Sequence, residues 1–261
     1  MTLPAADNSS VRARIVELNR LARKRRASAR ITTPDRPKPE RHPVPLAPMD
    51  KYFDSLFAAY GPQHWWPGKT PFEVIVGAIL VQNTSWTNVE RAIAKLQAAR
   101  LLTPTAIGTV PITELESLIR CSGYFRQKAL KLKAFCEFLR TEYGGSLKRM
   151  FATRTTVLSE KLLGIFGIGP ETADSILLYA GQHSVFVADA YAKRMLARHG
   201  WLKENAKYED ARRLVESQFS GSVERFNEFH ALIVHTGKRY CRPQAGLCGE
   251  CPLGPYLRKG R

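Results

Sequence analysis

Several things are scarce in this chain. Five cysteines in 261 residues are too few for the dense disulfide framework on which small secreted domains rely. No apolar run approaches the roughly 18 to 20 uninterrupted residues of a membrane-spanning helix, and no secretory signal pattern opens the chain. A soluble, cytoplasmic protein with no membrane partner is expected. Acidic residues are also scarce, 23 against 40 basic, for a formal charge of +17. That deficit suits a polyanionic partner and salt-dependent binding, and does not by itself choose between DNA, RNA and anionic lipid.

What is present is ordinary for a globular protein: 44% hydrophobic residues and a length that permits one large domain or two lobes. The charge is spread over the whole chain. Residues 1–48 hold 11 basic and 4 acidic residues, and the remainder holds 29 and 19. The first 48 residues include Arg23-Lys24-Arg25-Arg26, a proline-rich stretch from Pro34 to Pro48, and little apolar content after Leu21. A mostly disordered basic arm is expected there, with a short helix between Val11 and Arg26. A solvated tail is the default role, DNA tethering comes second, and a transit peptide is weaker because Asp7 and Glu17 interrupt the basic run. Met49 opens the folded-looking region and is an alternative start.

The chemistry concentrates in residues 162–194. Thr155 to Leu163 has helical apolar spacing; Gly164, Gly167 and Gly169 interrupt it, and Pro170 suits the first position of a second helix. Helix, glycine hairpin, helix is the expected order. The glycines allow close approach, and N–H groups opening the second helix suit an anion such as a DNA phosphate; a plain helix–helix turn is an equal reading of the same residues. Asp189 follows a short apolar stretch and precedes a helical segment, Ala190 to His199. It reads either as an N-cap or as a carboxylate facing a sugar.

Elsewhere, Tyr52, Phe53, Leu56, Phe57 and Tyr60 follow helical spacing before Gly61-Pro62. Trp65 and Trp66 form an aromatic loop in which at least one ring is expected to pack in the core. Phe72 to Val81 is almost continuously apolar and fits a strand or a buried helix. Ile112 to Leu139 reads as two core helices around the turn Ser122-Gly123-Tyr124-Phe125-Arg126-Gln127-Lys128. A helical stripe, Phe226, Phe229, Ile233 and Val234, carries His230 and His235, both expected to be structural.

The hairpin Phe166-Gly167-Ile168-Gly169-Pro170-Glu171-Thr172-Ala173, followed by Asp189, resembles the helix-hairpin-helix DNA glycosylases of the endonuclease III superfamily. Trp65-Trp66-Pro67, Phe72-Glu73, Gly77-Ala78, Gln82-Asn83-Thr84, Ser122-Gly123-Tyr124 and Gln127-Lys128-Ala129 narrow the resemblance to the 3-methyladenine DNA glycosylase III branch, over about residues 60–200. It implies an all-α, two-lobed fold: a six-helix domain with the hairpin over 71–187, and a terminal lobe of 49–70 with 188–261. It implies Asp189 as the catalytic carboxylate and Trp65 and Trp86 as the base pocket. Gln82 and Tyr124 would fill or wedge the space of a flipped nucleotide, and Gly167, Ile168, Gly169 and Thr172 would grip DNA. Lys238 roughly matches a lysine near that branch's active site. Backbone-cutting relatives carry lysine where this chain has Glu171, and a carboxylate cannot form their Schiff base.

Cys241, Cys248 and Cys251 match the first three ligands of that superfamily's iron-sulfur loop, and Leu257 stands at the fourth. Four-iron clusters normally need four protein ligands. A [4Fe-4S] cluster with an outside ligand, a decayed empty loop, or zinc held with a nearby histidine are the three readings, the cluster slightly ahead. Cys121 and Cys136 are expected to be buried thiols. The implied function is that of a monofunctional DNA glycosylase acting as a monomer on double-stranded DNA and removing alkylated purines such as 3-methyladenine. The alternatives are a glycosylase for oxidised or mismatched bases and a non-enzymatic protein that binds damaged DNA; an RNA-binding role has only the charge in its favour.

Overall fold

Helix-starting chemistry decides the stretch that apolar spacing leaves open. Thr70 Oγ1 accepts a hydrogen bond from the Glu73 N–H at 3.1 Å, and Pro71 takes the first helical position, which together begin a helix rather than a strand. Every residue from Phe72 to Leu80 is buried, so this is a central core helix.

The computed structural model describes residues 8–30, 47–65 and 68–257. Among them the architecture is all-α, with no strand and one isolated antiparallel bridge between Cys241 and Gly246. The helices are α1 (Asn8–Arg30), α2 (Met49–Tyr60), α3 (Pro71–Leu80), α4 (Trp86–Ala98), α5 (Pro104–Thr109), α6 (Ile112–Leu118), α7 (Phe125–Tyr143), α8 (Leu147–Phe151), α9 (Thr155–Leu163), α10 (Pro170–Ser175), α11 (Ala190–Arg198), α12 (Tyr208–Gln218) and α13 (Val223–Arg239). No helix of the described residues is long and apolar enough to cross a membrane.

The chain divides into two units, Met1–Pro34 with Gly68–Gly181, and Asp35–Pro67 with Gln182–Arg261. In the first, α7 packs against α1, α3, α5, α6 and α8, and Leu132, Phe135, Phe138 and Leu139 bury its inner face. Gly144 ends it at φ +57, with Gly144 N–H donating to Arg140 O and Gly145 N–H to Leu139 O, both at 3.0 Å, a left-handed cap that suits glycine. In the second unit α13 packs against α2 and α11. Its core is aromatic: Phe219, Phe226 and Phe229 gather around Phe53 and Phe186 with centroids 4.7–6.0 Å apart.

Two features bear on the domain reading. Residues 182–187 group with the terminal unit and not with the six-helix region, because Phe186 is buried among α13 aromatics and its N–H donates to Glu216 Oε1 at 3.0 Å. In the basic arm, the helix expected between Val11 and Arg26 extends over Asn8–Arg30, 23 residues. Ile15 and Asn19 of α1 are buried. Asn19 Nδ2 donates to Ala134 O of α7 at 3.2 Å, and Arg12 and Arg23 pair with Glu137 and Glu142 at 3.3 and 3.2 Å. These docking contacts give the helix support that its composition does not announce. Residues 1–7 and 31–46, with most of the proline-rich stretch, lie outside the described residues, as do Trp66 and Pro67.

Candidate nucleic-acid interface and catalytic carboxylate

The hairpin of the first unit is built on backbone geometry. Gly167 has φ +77, and a Cβ there would lie 2.4 Å from Lys131 Cγ; glycine is required both for the conformation and for the space. A Cβ on Gly169 would meet nothing within 4 Å, so the backbone that opens α10 is open to a close ligand. Ile168 is buried.

Three side chains lock this hairpin. Gln82 Nε2 donates to Thr172 Oγ1 at 2.9 Å and to Gly167 O at 3.2 Å. Lys131 Nζ donates to Gln82 Oε1, and burial holds that ammonium below its usual range. Gln82 is thus the hairpin's clip in this conformation, and a role inside the duplex requires it to exchange those bonds. Sequence reasoning missed Lys131, whose contact with Gly167 joins α7 to the hairpin turn.

Tyr124 is exposed over 71% of its surface and has φ +45, a left-handed conformation that costs a non-glycine residue on the order of 1–2 kcal/mol. The turn is held from below. Lys128 is fully buried and its Nζ donates to Ser122 O at 2.6 Å. Burial first and the Lys131 charge second bring its pKa down to about 8. Trp86 is the first residue of α4 and is half-buried.

Asp189 lies in the second unit. The N-cap reading finds support in its geometry. Oδ1 accepts from the Ala192 N–H at 2.9 Å, capping α11. Oδ2 is 3.5 Å from Nε2 of His230, which is almost fully buried on α13. Trp65 stands edge-on to His230 with centroids 6.1 Å apart, and Lys238 Nζ lies 5.7 Å from the centroid of the Trp65 ring. The structure therefore gathers Asp189, His230, Trp65 and Lys238. The stripe of α13 puts His230 on an inward face; nothing in its local sequence announces that it meets Asp189.

The cysteine loop is bolted to the helix that Asp189 caps. Arg194 Nε donates to Cys241 O at 2.7 Å, and Arg198 donates to Cys241 Sγ at 3.1 Å and to Arg242 O at 3.0 Å. Cys241, Cys248, Cys251 and Leu257 line one cavity of about 10 Å³, roughly the room of one water molecule. Burial pushes the Cys251 thiol up. His199 lines the same cavity, but its Nδ1 is 3.1 Å from the Tyr52 hydroxyl and burial lowers its pKa to about 4. Among the described residues no group of three or more His, Cys, Asp or Glu side chains is arranged to hold a metal ion. Three thiols, a leucine and this small space do not complete a four-iron site. Of the remaining cysteines, Cys136 is buried and Cys121 half-buried.

With this geometry in place, the comparisons are specific. Residues 76–220 match the model of the HhH-GPD superfamily of base excision DNA repair proteins. A protein of Methanocaldococcus jannaschii assigned as a DNA repair glycosylase is 45% identical over 207 residues, 79% of this chain and 94% of the relative. The H. pylori 3-methyladenine DNA glycosylase bound to 1,N6-ethenoadenine is 26% identical with a TM-score of 0.63, covering 73% of this chain and 95% of that one. An endonuclease III–DNA complex, 22% identical, shares the fold with a TM-score of 0.69 over 81% of this chain and 94% of the other.

Proposed function

The chain belongs to the HhH-GPD superfamily of base excision DNA repair proteins, and from that premise we propose that it is a monofunctional DNA glycosylase. It binds double-stranded DNA as a monomer, flips a damaged base and removes it by hydrolysis; alkylated purines such as 3-methyladenine are the substrate class. The observation that carries this reading is the placement of Asp189. One carboxylate oxygen is tied into the start of α11 and the other faces His230, which fixes the orientation of a negative charge suited to an electron-poor sugar.

A purine alkylated on a ring nitrogen is cationic and a good leaving group, so the enzyme need not protonate it. The work left is to extrude the base and to stabilise the oxocarbenium-like sugar. Asp189 supplies that stabilisation and orients the attacking water. His230 is a positioning residue acting through Asp189. Trp65 offers an aromatic face to the base; a cation on such a face gains about 0.5–2 kcal/mol. Lys238 already lies over the Trp65 ring, which supports the attraction of that face for positive charge. The same ammonium repels a cationic base on nearby approach, and this favours a second reading: a neutral oxidised or mismatched base as substrate.

Glu171 stands where backbone-cutting relatives carry an amine nucleophile, and a carboxylate forms no Schiff base. The expected product is an intact abasic strand. Cys241, Cys248 and Cys251 would hold a [4Fe-4S] cluster only with an outside ligand in place of the cysteine missing at Leu257. Three thiols on one cavity support it, and the missing ligand and the small cavity oppose it, so no reaction step is routed through a cluster.

The test is base release from methylated duplex by wild type, Asp189→Asn, His230→Ala and His230→Gln. Losing the Asp189 charge is expected to slow release about 100-fold or more, the scale of a lost transition-state electrostatic contact. His230→Ala should lower kcat with KM little changed, and His230→Gln should restore part of it. Release of oxidised but not methylated bases would move the assignment to the second reading. Release of neither, with tight DNA binding retained, would overturn the enzyme reading. Borohydride trapping of a covalent DNA adduct would overturn the monofunctional one.

A further inference from the structure

Helix α1 is the most strongly charged element described here, and neither the hairpin nor Asp189 gives it a role. Its 23 residues hold eight basic side chains and one acidic one. The face that docks on the first unit uses some of that charge: Arg12 and Arg23 are taken up by Glu137 and Glu142. On α1 itself Arg20 pairs with Glu17. Arg14, Lys24 and Arg25 are exposed, and no carboxylate among the described residues pairs with them at ion-pair distance.

The position of α1 turns this surplus into a surface with a partner. Asn19 Oδ1 accepts the N–H of Phe166, the residue that enters the hairpin, at 2.9 Å. Four residues on, Arg23 Cγ lies 3.0 Å from where a Cβ on Gly164 would sit. The helix is therefore pinned alongside residues 164–166, directly before Gly167 and Gly169 of the hairpin. A 23-residue helix is about 35 Å long, which is the rise of about ten base pairs of duplex. A docked basic rod of that length next to a phosphate-binding hairpin is complementary to one chemistry above others, the repeating phosphates of a DNA backbone.

We infer that α1 is a second DNA-backbone clamp, with Arg14, Lys24 and Arg25 contacting phosphates beyond those held by the hairpin. It rests on the DNA-repair reading above and adds to it: contact with flanking, undamaged duplex. Because phosphate contacts carry no sequence information, the clamp adds affinity for any duplex and leaves lesion choice to the pocket.

The test compares wild type with the triple variant Arg14→Gln, Lys24→Gln, Arg25→Gln in binding undamaged duplex across a salt series. The three side chains are exposed, so the variant is expected to melt with the wild type. Each lost phosphate contact lowers the slope of log affinity against log salt by about 0.9; on a duplex of about 30 base pairs the expected fall is therefore about 2 to 3. On a duplex shortened to about ten base pairs, too short to hold the hairpin and the full length of α1 together, the two proteins should converge. Equal slopes on the long duplex would overturn the clamp. So would a loss of affinity identical on both lengths, or a larger effect on duplex RNA or anionic vesicles than on DNA. Wild-type binding to undamaged DNA, together with no base release from methylated or oxidised duplex, would sink the glycosylase reading and leave this inference standing.

Discussion

The hairpin of the first unit and the cysteine loop of the second began as the same kind of signal, a few diagnostic residues at fixed spacing. They differ in what would do the binding. The hairpin would offer backbone atoms, shaped by Gly167 and Gly169 and clipped by Gln82, Thr172 and Lys131. Its other positions are free to vary as long as the shape survives, and Ile168 is buried for that purpose. The loop would bind through side chains, each of which must be a particular atom. One leucine at position 257 leaves its donor set incomplete although the three sulfurs still line one cavity. A site made of main chain survives side-chain drift that disables a site made of ligands.

The contrast is broken most forcefully at Gly167. Alanine there must adopt φ +77 and displace the Lys131 stem; we expect a loss of stability on the order of 2–3 kcal/mol and of DNA affinity by about 100-fold. Gly169→Ala sharpens the same point: with no atom within 4 Å of its Cβ, it should melt normally yet bind DNA more weakly. Thermal melting and anisotropy titration on one preparation separate the two effects.

The support beneath the Tyr124 turn gives a pH effect. Lys128 is held at about 8 in the folded protein against an ordinary lysine value of 10.5. Between those values the unfolded chain binds the extra proton, so stability rises with pH from about 8 to 10.5, and the cost of burying the charge is felt in full below 8. Denaturant melts should show a gain of up to about 3 kcal/mol across that window, abolished in Lys128→Met. A flat profile in the wild type would remove Lys128 from the account of the turn.

Smaller effects follow at the clip and the loop. Gln82→Ala removes bonds to Gly167 and Thr172 and should cost about 1–2 kcal/mol, with DNA binding weakened about tenfold. If binding instead tightened, the clip would be a restraint that DNA has to release. Serine at Cys241, Cys248 and Cys251 together should change stability by no more than about 1 kcal/mol, and the purified protein should hold less than one cluster's worth of iron. Stoichiometric iron, lost together with the fold in the serine variant, would show that the loop binds as fully as the hairpin does.

Legibility follows the same division. The glycine hairpin, the Asp189 cap and the three thiols are written in short stretches, where residue type and spacing are enough to recognise them. The docking of α1 is not, because Ile15 and Asn19 become informative only when α7 and Phe166 are beside them. Phe72 to Val81 sits between these cases: its apolar run is silent between strand and helix, and the resemblance had to choose. The structure shows the local reason in Thr70 and Pro71.

What the sequence alone determined is the superfamily, the all-helical class, the hairpin, Asp189 at a helix start, the basic surplus and the missing fourth cysteine. Each depends on chain neighbours or on composition, and is present before the chain folds. Tertiary structure decided that Gln82 and Lys131 clip the hairpin, that His230 faces Asp189, that Lys128 lies buried under the Tyr124 turn and that α1 lies against the hairpin's entry. Those are contacts between side chains far apart in sequence. Their energies depend on burial and distance, which only the packed fold sets.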